Sequence, residues 1–190
     1  MSLLLRQQLE TELTRLTPIT AEIAEGMLAR SVAALEHSCR FRFSNPFRLP
    51  PMMNDLLPAA AQRLHYEPQQ AGWWGWLFAE KDTQALLGAV GVSGPPDTTG
   101  AVGIAFSIYP SAENRGYTKE AVKAVADWVI VQPGVKSLRM TIRPKNFAAV
   151  RIAQHAKFEL KGTVVDGVVG EVHLYEAKQR IIVPPPSSLV

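Results

Sequence analysis

The segment richest in chemical possibilities joins Phe106-Ser107-Ile108-Tyr109-Pro110 to Gly116-Tyr117-Thr118-Lys119-Glu120-Ala121 through the polar residues Ser111 to Arg115. Its pattern is the end of a strand, a loop, and a helix that starts at a glycine. The first N–H groups of a helix have no partner inside the helix, and the aligned peptide dipoles make that end positive. An anion can take those donors, and a glycine lets a phosphate approach the backbone closely. From these residues two readings stay open: a phosphate cradle at Asn114, Arg115, Gly116, Tyr117, Thr118 and Lys119, or turn chemistry that only starts a helix.

Groups able to move a proton are scattered. Glu80, Glu171 and His173 are candidate general bases, and Ser107 could hold a water that serves as one. Tyr109 could line a reaction site or cap its strand, and a backbone N–H near it could meet an oxyanion. Each of these residues also reads as an ordinary strand or loop position. His37, His65, His155 and His173 lack metal-ligand spacing, so no metal is expected. The lone Cys39 reads as buried rather than nucleophilic.

These residues must be positioned by elements that the apolar pattern outlines. Leu13 to Pro18 reads as a short strand. Thr20 offers an N-cap for a helix over Ala21 to Ser31, and Pro50-Pro51 opens a second helix to about Tyr66. Trp73 to Phe78 is strand-like, with a turn at Lys81-Asp82-Thr83; Trp73, Trp74 and Trp76 could wall a substrate cleft, but two of the three are expected to pack in the core or cover it. Leu86 to Val92 is an unbroken apolar run, short enough for a buried strand. Val102, Ile104, Phe106 and Ile108 then alternate with small residues at a period of two. From Thr118 the apolar period becomes helical and stops at Pro133-Gly134. Leu138, Met140 and Ile142 alternate with Arg139, Thr141 and Arg143 as a strand. Asn146 starts a helix with Ala149, Ile152, Ala153 and Ala156 inward. Leu160 to Val165 and Val172 to Tyr175 are strands joined at Asp166-Gly167. The fold class is mixed α/β (α+β) with a mainly antiparallel sheet.

Length and composition bound the function. The 190 residues suit one domain over 1–182, followed by a loose Pro-rich tail at 183–190. With 47% apolar residues throughout, the chain can bury a core. A formal charge of +3 is too mild to suggest a nucleic-acid partner. The apolar Met1 to Leu5 is too short for a signal-peptide core and Arg6 interrupts it, so a cytoplasmic protein without membrane partners is expected. Arg40 to Arg48 alternates bases and aromatics. It reads as a solvated loop pinned by its phenylalanines, or as an acceptor lid that recognises a carboxylate or peptide.

Two stretches, FSIYPSAENRGYTKEAVKAVADWVI and RPKNFAAVRIAQHAKFELKG, carry a family likeness. Gly116-Tyr117, Glu120-Ala121, Asn146, Ala149 and Phe158 stand at spacings that resemble the GNAT superfamily of acetyltransferases, and within it the RimJ/RimL-like branch. The resemblance covers roughly Trp74 to Ala177. It implies a GNAT fold: a twisted, mostly antiparallel sheet with a splayed strand pair, flanked by helices. It implies that backbone N–H groups from Asn114 to Lys119 bind the pyrophosphate of acetyl-CoA. The edge at Ile108 and Tyr109 would pair with the pantetheine amides, and Asn146 would contact the pantetheine arm or hold the splayed strands.

The function so implied is N-acetyl transfer from acetyl-CoA to an amine, by direct attack in a ternary complex. The acceptor would be a protein N-terminus or a small molecule, and relatives that pair as homodimers make a second copy an expected partner. Glu113 stands where Gln or Arg is usual, Thr118 replaces a smaller residue, and Lys157 replaces glycine. Gly103 and Ala153 lack the carboxylate and tyrosine that many relatives carry. These departures motivate the alternative of a catalytically degenerate module that binds acyl-CoA or another ligand without turnover.

Overall fold

The computed structural model describes residues 8–44 and 46–178. The apolar Met1 to Leu5 and the Pro-rich tail at 183–190 lie outside the described residues. Among the described residues eight strands form one sheet. They are β1 (Leu9–Glu10), β2 (Thr14–Pro18), β3 (Trp76–Glu80), β4 (Leu86–Val92), β5 (Ala101–Ile108), β6 (Ser137–Ile142), β7 (Glu159–Asp166) and β8 (Gly170–Lys178). Their spatial order is β1-β2-β3-β4-β5-β6-β8-β7. Neighbours are antiparallel except β5 and β6, which run parallel. That parallel pair needs a crossover, and the helix α4 (Tyr117–Ile130) supplies it.

Both faces of the sheet are covered. On one face α4 and α5 (Phe147–His155) bury Val122, Val125, Val129 and Ala153 against Val102, Ile104, Leu138 and Met140. On the other, α1 (Ala21–Leu28), α2 (Val32–Cys39) and α3 (Met53–Tyr66) bury Ile23, Leu35 and Leu57 against Leu77, Ala79 and Ala89. This explains the unbroken apolar run of β4: every residue from Leu86 to Val92 is buried, because the strand is sandwiched between two helical layers. β5 differs. Its large residues face α4, while Gly103, Ala105 and Ser107 face the α3 layer.

Several expectations shift by a few residues. The helix expected over Ala21 to Ser31 ends at Leu28, because Arg30 takes a left-handed φ of 53° and Ser31 Oγ accepts the Ala34 N–H to start α2. The prolines at 50 and 51 precede α3 rather than open it: the Pro50 carbonyl accepts from Met53 N at 2.9 Å in a turn. The aromatic strand starts at Trp76, not Trp73, because Gly72 and Gly75 turn the chain at φ 91° and 132°. Trp76 is fully buried, and Trp73 and Trp76 both meet Trp128 edge-on at 5.8 and 5.2 Å. The β7–β8 turn forms as expected, with Asp166 Oδ1 accepting from Val168 N and Val169 N. No helix among the described residues is long and apolar enough to cross a membrane.

Candidate active site

The sheet opens at one place. β5 and β6 pair at Ala101↔Ser137, Val102↔Leu138 and Gly103↔Arg139, and then part. From Ile104 to Ile108, β5 keeps only β4 as a strand partner. Its N–H groups therefore divide by parity. Gly103 N donates to Ser93 Oγ at 2.8 Å and Tyr109 N to the Leu87 carbonyl at 2.9 Å, both toward β4. Alternation turns the amides of Phe106 and Ile108 to the open side. Those two residues thus turn amide donors to the opening, whereas the amide of Tyr109 is engaged.

A cleft of about 620 Å³ fills the opening. Phe106, Ser107 and Ile108 line it from β5, Asn146 and Ile152 from α5, and the whole stretch from Ala112 to Lys119 from the loop and first turn of α4. Of the sequence-selected binding residues, Ile108, Asn114, Arg115, Gly116, Tyr117, Thr118, Lys119 and Asn146 all meet here. Asn114 and Gly116 hold φ at 62° and 87°, which bends the loop so that α4 begins at the cleft wall. The left-handed region favours glycine at the second position.

The start of α4 is left open. Thr20, Ser31 and Asn146 each cap their helix with a side-chain oxygen, accepting from Ile23 N, Ala34 N and Ala149 N. Gly116 has no such group, so the first donors of α4 remain available on the cleft wall. Arg115, Lys119 and Arg151 bring positive charge to the same cleft against the single carboxylate of Glu113. An anion entering there meets dipole, donors and cations together.

The proton-handling candidates are dispersed. Ser107 lines the cleft, and its Oγ lies 3.5 Å from Met52 N. Tyr109 does not line it: its hydroxyl donates to the Arg48 carbonyl, fastening the Arg40 to Arg48 loop to the end of β5, and burial raises its pKa. That loop is pinned as its phenylalanines suggest, with Phe41 and Phe47 buried and Phe43 edge-on to Phe47 at 5.3 Å. Glu80 ends β3 and accepts from Thr83 Oγ1 at 2.6 Å and from the Tyr117 hydroxyl. Those two donors, with Arg115 nearby, hold its pKa below the ordinary value despite some desolvation. His173 lies opposite Ile142 on β8, and Glu171 sits at the exposed end of the β7–β8 hairpin, opposite Val165. Neither lines the cleft. Cys39 is buried, and desolvation pushes its thiol up to about 11. Among the described residues no group of three or more His, Cys, Asp or Glu could hold a metal ion.

A second cleft, of about 330 Å³, lies on the α3 side of the sheet over Gly91, Gly103 and Ala105. Arg139 stands at its edge, paired in register with Gly103 on one side and Glu176 on the other. The alternation of β6 put Arg139 on an outer face, but nothing in the sequence set it beside Gly103.

Comparison with known proteins agrees with this geometry. The family model described as "Acetyltransferase (GNAT) domain" matches residues 14–159. The N-acetyltransferase YjdG of Bacillus subtilis is 25% identical over 89 residues, which is 47% of this chain and 53% of that protein, so the chain spans about half the length of that curated relative. The ribosomal-protein-S5-alanine acetyltransferase of Vibrio fischeri superposes with a TM-score of 0.64 at 14% identity, covering 90% of this chain and 96% of that one. The aminoglycoside acetyltransferase AAC(6')-Ib, solved with coenzyme A and kanamycin, superposes with a TM-score of 0.55 at 17% identity, covering 87% and 95%. At these identities the two solved structures show a shared fold.

Proposed function

The chain belongs to the GNAT acetyltransferase family, and from that membership and the cleft we propose that it transfers an acetyl group from acetyl-CoA to an amine held in a ternary complex. It is an acyltransferase. The observation that carries the acetyl-CoA assignment is the uncapped start of α4 facing a cationic cleft beside the free edge of β5.

The chain's own groups fit such a ligand. The N–H groups at the start of α4, with Arg115, Lys119 and Arg151, would take its phosphates. The open-side amides of Phe106 and Ile108 would pair with the pantetheine arm and meet the carbonyl oxygen as charge develops on it. Bringing amine and thioester together at the opening accounts for much of the rate such a site can give. The acceptor is a protein N-terminal amine or a small-molecule amine. Relatives of both kinds support that range, one named for a ribosomal protein and one solved with kanamycin. Residues 1–182 form the one catalytic domain in this reading.

Calorimetric titration with acetyl-CoA tests the reading, run beside a Gly116→Trp variant. We expect micromolar binding that the variant loses. If the parent protein binds no acetyl-CoA, Glu113 and its neighbouring departures have abolished the site, and a binding module for another ligand takes its place.

A further inference from the structure

The cleft on the α3 side of the sheet is nearly bare of polar groups at its centre. Gly91, Gly103 and Ala105 form its floor, and Leu56 and Leu174 border it. Gly91 is confined, since a side chain there would run into Met52 and lie 2.9 Å from Leu56 Cδ1. Gly103 is less confined: an added Cβ would press on the Ser93 side chain alone, at 3.1 Å, so that Ser93 would have to give by a few tenths of an ångström. The missing side chain at 103 also keeps the floor of the cleft open. The cleft's 330 Å³ is about eleven water volumes of roughly 30 Å³ each, enough for a ligand of about ten non-hydrogen atoms.

One charged group is offered to that space. Arg139 lies at the last paired row of β5 and β6, with its side chain 45% exposed. Its Nε is 3.5 Å from Glu176 Oε1, and among the described residues no protein acceptor hydrogen-bonds its guanidinium. Glu176 is shared with Lys178 Nζ at 3.9 Å, and the nearby Asp97 also feels the charge of Arg139, so the cluster as a whole is near neutral. A guanidinium with unused planar donors beside an apolar floor suits a carboxylate attached to an apolar body. A polyhydroxylated amine fits poorly, because the cleft has only the hydroxyls of Ser93 and Thr141 to satisfy it.

We propose that the acceptor is an α-amino carboxylate with an apolar side chain, selected by Arg139. The inference rests on the acetyl-CoA reading above. Arg139 holds the carboxylate, and the apolar side chain lies over Gly91 and Ala105 toward Leu56 and Leu174. The amine, one carbon from the carboxylate, then reaches the point where β5 and β6 part. There its nitrogen bonds to the acetyl carbon, the carbon–sulfur bond breaks, and the departing thiolate ends with the proton the amine gives up.

The test compares leucine, leucinamide and kanamycin as acceptors with acetyl-CoA, using the full chain and its Arg139→Gln, Arg139→Lys and Gly103→Leu variants. Leucine should be acetylated at least about tenfold more efficiently than leucinamide, and kanamycin not at all. Arg139→Gln should raise KM for leucine about tenfold, leave that for leucinamide unchanged, and leave acetyl-CoA titration heats and the melting temperature near those of the parent. Arg139→Lys should recover part of the loss for leucine and leave KM for leucinamide unchanged, a split between acceptors that a purely structural cross-strand role would not produce. Gly103→Leu should stop leucine turnover while acetyl-CoA still binds. Equal turnover of leucine and leucinamide, or an unchanged KM in Arg139→Gln, overturns the proposal. Acetyl-CoA binding without turnover of any α-amino carboxylate overturns it alone. Absence of acetyl-CoA binding overturns it together with the reading it rests on.

Discussion

Gly103 and Arg139 are the last pair at which β5 and β6 run side by side, and the two clefts described above are built around the strand that continues past them. Toward α4 the opening exposes Phe106 and Ile108. Toward α3 the same strand shows Gly103 and Ala105. A cosubstrate on one face and an acceptor on the other would approach each other across one strand. The chain places no carboxylate on β5 in that row; the nearest in register is Glu176, two strands away on β8.

Asn146 has two separable tasks. Its Oδ1 accepts from Ala149 N at 3.1 Å and caps α5, and the residue also lines the 620 Å³ cleft beside β5. Asn146→Ala should lower stability by about 1 kcal/mol through the lost cap. Asn146→Asp should retain the cap and hence most of that stability, yet weaken acetyl-CoA binding by adding a negative charge to the cleft. Urea unfolding and calorimetry on the two variants separate the effects. Equal acetyl-CoA affinity in the aspartate variant and the parent would place Asn146 outside the binding site.

Gly88 and Gly103 should respond unequally to alanine. A Cβ on Gly88 would run into the Ser107 carbonyl oxygen and lie 2.8 Å from Phe78 Cζ and 2.9 Å from Ile108 Cα. Backbone cannot swing aside as a side chain can, so Gly88→Ala should cost about 3 kcal/mol and displace the end of β5. Gly103→Ala meets only Ser93 and should stay within about 1 kcal/mol of the parent. Thermal melts rank the pair, and similar losses for both would contradict the close β4–β5 approach.

The Glu80–Tyr117 contact should show in the pH dependence of stability. Hydrogen bonds from Thr83 and then Tyr117 depress the folded-state pKa of Glu80 below its ordinary 4.5. The ionised carboxylate therefore stabilises the fold above that value, and the contribution is lost as pH falls through the folded-state pKa. Tyr117→Phe should lower the urea midpoint at neutral pH, and the gap from the parent should close on acidification through the carboxylate range. A gap that stays constant with pH would mean that Tyr117 acts through packing alone.

Cys39 should be inert in the folded protein. It is 2% exposed, and burial pushes its thiol up to about 11, so little thiolate forms at neutral pH and little of it can be reached. Reaction with an aromatic disulfide reagent should be slow in native buffer and fast in urea. Fast labelling of the native protein would mean that the α2 region opens readily.

The elements were legible in the sequence wherever a local rule governs them. A period of two marked β5 and β6, a helical period marked α4 and α5, and an unbroken apolar run marked β4 with its true ends. These patterns survive because burial of one face or both is decided residue by residue. The loop from Asn114 to Lys119 was legible too, since only a glycine near Gly116 allows that turn at low cost. Local rules failed where two of them competed, as at Arg30, where a left-handed residue and the Ser31 cap split one apolar stretch into two helices.

What tertiary structure alone decided is which residues from distant elements stand side by side. Alternation tells which face of a strand a residue takes, but the strand's partner and register are set by hydrogen bonds to segments far away in the chain. So the sequence could say only that a backbone N–H near Tyr109 could meet an oxyanion; the register gave the N–H of Tyr109 itself to Leu87 and turned those of Phe106 and Ile108 to the opening. Arg139 was only an alternating position of a strand until the same register set it between Gly103 and Glu176, at the edge of an apolar cleft.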